Sequence, residues 1–264
     1  LFLPERDLTR AGGVCLLLLV LAILGSWQPA GASEPPLPFA PGERLFYEVA
    51  WLSVPAGEMS MQVLPLKEID GRESYHFLMT TTTYSFVDLF YELRERIEAF
   101  TDKAISHSLI YRIETRGKKT RDEEVRFDWR KMVATYEKNG KKEETVALLK
   151  GAFDPLSIFY ALRLHHFEAG EIIQATVSDG KMCILGKATV VRRERIRVGG
   201  KVYDTFLVEP ELKHIGGVFK QSKNATLKIW FTADSAKVPV KVETQVKVGT
   251  FTAELIPSKA TVKP

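Results

Sequence analysis

The chain has 264 residues, 45% of them hydrophobic and 27% charged, with a formal net charge of +4. A domain of this size buries ~70% of its unfolded surface and needs no metal or disulfide staple. The small positive excess suits weak attraction to an anionic surface and gives no reason to expect a nucleic-acid partner.

The first residues read as a targeting segment. Arg6 and Arg10 precede an apolar run from Val14 to Leu24, and Ala30-Gly31-Ala32 follows with small residues in A-x-A order. This three-part layout predicts a secretory signal peptide over residues 1–32 and a periplasmic destination. The alternative is an uncleaved segment that anchors the chain in the inner membrane. The apolar run is shorter than the ~20 residues of a comfortable span, so no integral span is expected after cleavage. Cys15 does not follow the apolar run as a lipid-modified cysteine would. Cleavage then leaves Cys183 with no internal disulfide partner, as a small buried hydrophobe.

Residues 33–42 are Pro-rich and predict an extended lead-in. A single β-barrel-like domain is expected over 43–257, with a C-terminal tail over 258–264. In "YEVAWLSVPAGEMSMQV" (47–63), Leu45, Tyr47, Val49 and Trp51 share one strand face, which would turn two large aromatics inward. Pro55 cannot donate to a ladder and Gly57 permits an unusual backbone angle, so a bulge or sharp corner is expected there. Met59, Met61 and Val63 resume the apolar face. Asp70-Gly71, Asn139-Gly140, Asp179-Gly180 and Gly199-Gly200 are hairpin signals. In "KVPVKVETQVKV", Val238, Val240, Val242, Val246 and Val248 alternate with polar residues. The chain therefore predicts a mainly β fold: one antiparallel, strongly curved sheet or open half-barrel.

Two segments break the period of two. Phe86, Leu89 and Phe90 stand at i, i+3, i+4 and predict a short helical turn near 84–91. "DPLSIFYALRLHHF" predicts one buried helix from about 154 to 166. Asp154 suits the N-cap, Pro155 the first helical position, and the apolar stripe covers more than half the circumference. Arg163 falls inside that stripe. It must either pair with a carboxylate, for which Glu48, Asp88 and Glu92 are candidates, or receive the carboxylate or phosphate of a bound amphiphile.

No catalytic constellation is legible. His165-His166 point ~100° apart on a helix, and His76, His107 and His214 lack ligand spacing. No G-x-S-x-G elbow or glycine-rich phosphate loop occurs. The Asn224-Ala225-Thr226 triplet matters only in a glycosylating host. A non-enzymatic protein without metal or cofactor is expected, binding an apolar or amphiphilic envelope molecule or assisting envelope assembly. Its candidate ligand wall comprises Arg163, Tyr160, Trp51, Tyr47, Met59 and Met61. The alternatives are an envelope hydrolase using carboxylates that sequence cannot pair, and a purely structural protein with an envelope protein partner.

Four ordered stretches, "GERLFYEVAWLSVPAGEMSMQV", "DPLSIFYALR", "VSDGKMCIL" and "IWFTADSAKVPVKVE", resemble the exported bacterial proteins grouped as domain of unknown function 3108. The resemblance runs from about Pro41 to Leu255. It implies a single, predominantly β domain in a cell-envelope setting and supplies no catalytic residues to carry over.

Overall fold

The structure is a computed structural model that describes residues 37–117, 120–212 and 225–263. The signal-peptide reading of residues 1–32, and Asn224 of the glycosylation triplet, lie outside the described residues. Within them, fourteen strands form one antiparallel sheet. The first half is a meander of β1 (Arg44–Trp51), β2 (Val54–Ile69), β3 (Arg72–Thr83), β4 (Leu93–Asp102), β5 (Ser108–Gly117), β6 (Arg121–Asp128), β7 (Val133–Lys138) and β8 (Lys141–Ala147). The second comprises β9 (Ile172–Ser178), β10 (Cys183–Val198), β11 (Lys201–Pro210), β12 (Thr226–Thr232), β13 (Pro239–Val246) and β14 (Gly249–Leu255). A four-residue helix α1 (Ser85–Asp88) sits between β3 and β4, and α2 (Ser157–Leu162) connects the two halves.

Every ladder but one joins sequence neighbours. The exception is β1 against β14, with Tyr47 opposite Leu255 and Trp51 opposite Phe251, which places the two meanders side by side. The outermost strands, β8 and β9, do not pair with each other, so the sheet is barrel-like and open. The segment after β8 bridges toward β9: Phe153 N donates to Thr176 O at 2.9 Å and Ser178 N donates to Phe153 O at 2.8 Å. The β9–β10 turn reaches the other half, where the Lys181 ammonium lies 4.2 Å from the centre of the Tyr136 ring.

Local chemistry explains the turns. Asp70-Gly71 (φ 49° and 77°), Asn139-Gly140 (48° and 73°) and Gly199-Gly200 (55° and 79°) adopt the left-handed pairs that tight hairpins need. The bulge expected near Pro55 and Gly57 is present: Val49 faces Gly57 and Ala50 faces Pro55, leaving Ala56 as the extra residue of β2. The reason for Gly57 differs from the expectation. Its φ is not left-handed; instead a Cβ there would lie 2.3 Å from the Thr82 carbonyl oxygen of β3. Close approach of a neighbouring strand demands the glycine, not an unusual backbone angle.

Helix α2 is shorter than the periodicity predicts. Asp154 does cap it: Oδ1 accepts from the Leu156 and Ser157 amides, both at 2.8 Å, and Oδ2 accepts from the Ser108 and Ser157 hydroxyls. At the other end, Arg163 N donates to Tyr160 O and Leu164 N to Ala161 O, i→i−3 bonds that tighten and end the helix. Leu164, His165 and His166 turn to solvent, and Phe167 returns to pack beneath β9–β12. The helix is buried through Ser157, Tyr160, Ala161 and Leu162. Around it gather Phe39, Leu45, Tyr47, Met61, Phe77, Tyr111 and Val240 in one continuous core. Asp154, wholly buried, has its carboxyl pushed up by desolvation, opposed by these hydrogen bonds.

His76 on β3 is nearly buried, stacks on Phe100 with centroids 4.3 Å apart, and meets Glu98 at 3.0 Å through Nε2. Burial lowers its pKa despite the opposing pull of Glu98, and burial lowers that of His107 likewise. A histidine whose folded pKa lies below its unfolded value adds stability above the unfolded pKa and loses it as pH falls. The urea midpoint is therefore expected to drop between pH 7.5 and 5.5, with a shallower drop in a His76→Gln, His107→Gln protein; parallel curves would refute the assignment. Gly57→Ala is expected to cost more than ~2 kcal/mol of unfolding free energy, because strand β3 must retreat or the register break. An unchanged midpoint would show that the backbone yields without cost.

Candidate functional site

Two features stand out from this scaffold: a buried polar centre at the end of α2 and an apolar rim on the sheet.

The polar centre is built on Arg163, the residue that closes α2. Its side chain is 1% exposed and that of Glu43 is 0% exposed. The guanidinium holds the carboxylate with both arms: Nη1 donates to Oε1 at 2.6 Å and Nη2 to Oε2 at 2.9 Å. Nη2 also donates to Pro38 O at 2.8 Å and Nε to Ala236 O at 3.0 Å. The Phe39 ring lies 4.8 Å from the guanidinium carbon. Glu43 is fixed in turn by backbone bonds to Ala40 and Val63. The partner is thus Glu43, immediately before β1, and none of Glu48, Asp88 or Glu92. Those three belong to strand surfaces and rim, whereas Glu43 sits where the chain passes under α2.

Tyr160 and Tyr47 face the same centre. The Tyr47 hydroxyl donates to Pro239 O at 2.8 Å. Tyr160 stacks on Phe77 with centroids 3.9 Å apart and meets Phe39 edge-on at 5.1 Å. Its buried hydroxyl has no hydrogen-bond partner. Burial pushes both phenols well above the ordinary tyrosine range, with Glu43 adding to the rise and Arg163 opposing it. Both are held as neutral phenols. Met61 is buried in the same cluster and Met59 packs against it half-buried. Of the six nominated residues, Arg163, Tyr160 and Tyr47 meet, and the two methionines border the core. Trp51 does not join them: it ends β1 between β2 and β14, where those strands begin, and is 45% exposed.

Trp51 belongs to the second feature. At the end where β1 finishes, three neighbouring connections project: Leu52-Ser53, residues 84–92, and Lys247-Val248. They expose Leu52, Val54, Phe86, Leu89, Phe90, Tyr91 and Val248; Leu89 and Phe90 are each 81% exposed. The expected turn near 84–91 exists, as α1, but its apolar stripe faces outward because four helical residues are too few to fold back onto the core. Trp51 Nε1 donates to Val248 O at 3.0 Å, and Trp51 stacks with Phe251 at 6.4 Å, tying two of the tips together. Leu52 and Ser53 have φ values of 48° and 68°. The same left-handed pair is filled elsewhere by Asn, Asp or Gly; a leucine there costs roughly 1–2 kcal/mol. Sequence reasoning missed this rim, although a Leu-Ser pair in a two-residue turn was its available signal.

Among the described residues no helix is long and apolar enough to cross a membrane. Removing one member of the buried pair, as Glu43→Gln or Arg163→Met, is expected to cost about 3–5 kcal/mol. The paired replacement Glu43→Leu with Arg163→Met should recover most of that loss in urea unfolding. Additive losses would show that the two charges do not act as a unit.

No curated protein sequence matches the chain. Among solved structures it is similar to a beta-barrel-like protein of domain of unknown function DUF1849 from Brucella abortus. That likeness has 11% sequence identity and a TM-score of 0.52 over 84% of this chain and 98% of the other. At that identity the likeness shows the fold, an open barrel-like sheet. The family model described as "Protein of unknown function (DUF3108)" matches residues 47–256, and the chain belongs to that family.

Proposed function

We propose that the protein is an exported, non-enzymatic component of the bacterial cell envelope that works by docking. In this reading the packed centre keeps the sheet in shape, and the apolar rim contacts an apolar or amphiphilic envelope component. The observation that carries it is the rim: eight large apolar side chains on three adjacent tips stand in solvent, one of them on a strained turn. Exposed clusters of this kind mark interaction sites, and strain in a turn without local compensation points the same way. The N-terminal targeting layout and the family resemblance support the envelope setting. Capture of an anionic headgroup by Arg163 is disfavoured, because Glu43 and two carbonyls already occupy its fork.

Fractionation of host cells tests the docking reading. The wild-type protein should partition with envelope material, and a Leu89→Ser, Phe90→Ser protein should move to the soluble fraction at an unchanged melting temperature. Equal distribution of the two would sink it.

A second reading, an amphiphile held beside the core, draws on the unpartnered Tyr160 hydroxyl. It places the headgroup near Tyr160 and Tyr47 and the acyl part against Met59 and Met61. Native mass spectrometry of protein purified from its own host should then show a co-purified amphiphile that Tyr160→Phe loses and the rim substitutions keep.

A further inference from the structure

We infer that the rim's partner is a phospholipid bilayer, into whose headgroup region the three tips insert. This rests on the docking reading above and names the partner of that same surface. Four observations favour lipid.

Part of the tips' backbone demand is met within the protein. Val87 N and Asp88 N donate to Tyr84 O, Phe90 N and Tyr91 N donate to Val87 O, and Leu52 N donates to Thr250 O. The helical turn α1 thus leaves fewer amides in need of water at this tip, which lowers the cost of moving it from water to a membrane interface. The Trp51 indole N–H is likewise engaged, donating to Val248 O.

Two of the carboxylates near the tips are matched, while Glu92 stands exposed at the foot of the 84–92 connection. Asp88, the acid within α1, is gripped by Arg94 through both oxygens and also accepts from the Thr83 hydroxyl. Glu58 on β2 is paired with Lys259 at 2.7 Å. These carboxylates approach an anionic surface as neutralised pairs, and the chain's net charge of +4 favours that approach.

The chemistry is graded. The most exposed side chains, Leu89 and Phe90, are purely apolar, whereas the less exposed Trp51 and Tyr91 are amphipathic aromatics of the type enriched at membrane interfaces. The shape also fits. Separate convex hairpin tips can be surrounded by mobile lipid, while a protein partner would need a matching hole for each.

Hydrogen exchange of the full chain, read peptide by peptide with vesicles of phosphatidylethanolamine and phosphatidylglycerol, tests the inference apart from any binding by the N-terminal apolar run. Protection is expected at residues 50–54, 84–92 and 246–250, weakening with added salt. Leu89→Ser with Phe90→Ser should reduce vesicle-induced protection at least tenfold. Leu52→Asn with Ser53→Gly removes an apolar tip and relieves the strained turn. It should raise the melting temperature while weakening protection several-fold, so misfolding cannot explain the loss. Wild-type protection in a protein carrying all four substitutions, or vesicle protection confined to the N-terminal residues, overturns the inference. If the tips are instead protected only by a purified envelope protein, lipid is wrong and docking stands; if neither protects them, both fall.

Discussion

Withdrawing a guanidinium and a carboxylate from water costs several kcal/mol for each ion, and the pair formed by Arg163 and Glu43 offsets that cost through geometry. Two parallel arms, two backbone carbonyls and an aromatic face leave the cation with almost no unmet demand. The side chain therefore clamps three separate pieces of chain: the stretch before β1, the end of α2, and the connection between β12 and β13. No apolar residue could specify all three positions at once, since greasy contacts carry no direction. The cation's influence extends to Lys237, whose pKa is lowered first by burial and then by Arg163. A second cation is unwelcome beside a pair that is already neutral.

That clamp gives the core a fixed reference. With α2 pinned by Arg163, the residue that closes it, and capped by Asp154 at its first turn, Tyr160 is pressed between Phe77 and Phe39. The inner faces of β1 to β7 close around it, while Leu162 and Phe167 serve β9 to β12. Much of this is locally consistent: three hairpins place Asp, Asn or Gly in their left-handed pairs, strand faces alternate, and the buried carboxylate of Asp154 has four donors, although Ile105 and Met132 also adopt left-handed angles. The rim is where two consecutive non-glycine residues, Leu52 and Ser53, depart from the local rule. Proteins tolerate such conflicts where something other than folding selects the side chains.

Much of the architecture was legible in the residues. Alternation in "KVPVKVETQVKV" and the glycine-containing turn pairs pointed to an antiparallel meander, and Asp154-Pro155 marked the start of the one buried helix. Residues farther along were harder to read. Periodicity cannot say where a helix stops when tertiary bonds bend it, so α2 ended near Arg163 instead of His166. Glu43, the first residue expected of the β domain after the Pro-rich lead-in, drew no notice, because no local pattern announces a partner 120 residues away in sequence. Gly57 signalled a break correctly but for a reason that only the neighbouring strand supplies. The rim escaped because an i, i+3, i+4 stripe looks identical whether it faces a core or solvent.

The connectivity also constrains how the chain can fold. All but one of its ladders can zip as soon as adjacent strands exist, yet β1 meets its second neighbour, β14, only when Leu255 has arrived opposite Tyr47. Until then the opening strand keeps a bare edge, and loop closure must span nearly the whole domain. Completion of the sheet at β1 is thus reserved until β14 itself has been made, long after the strands beside β1 on its other flank.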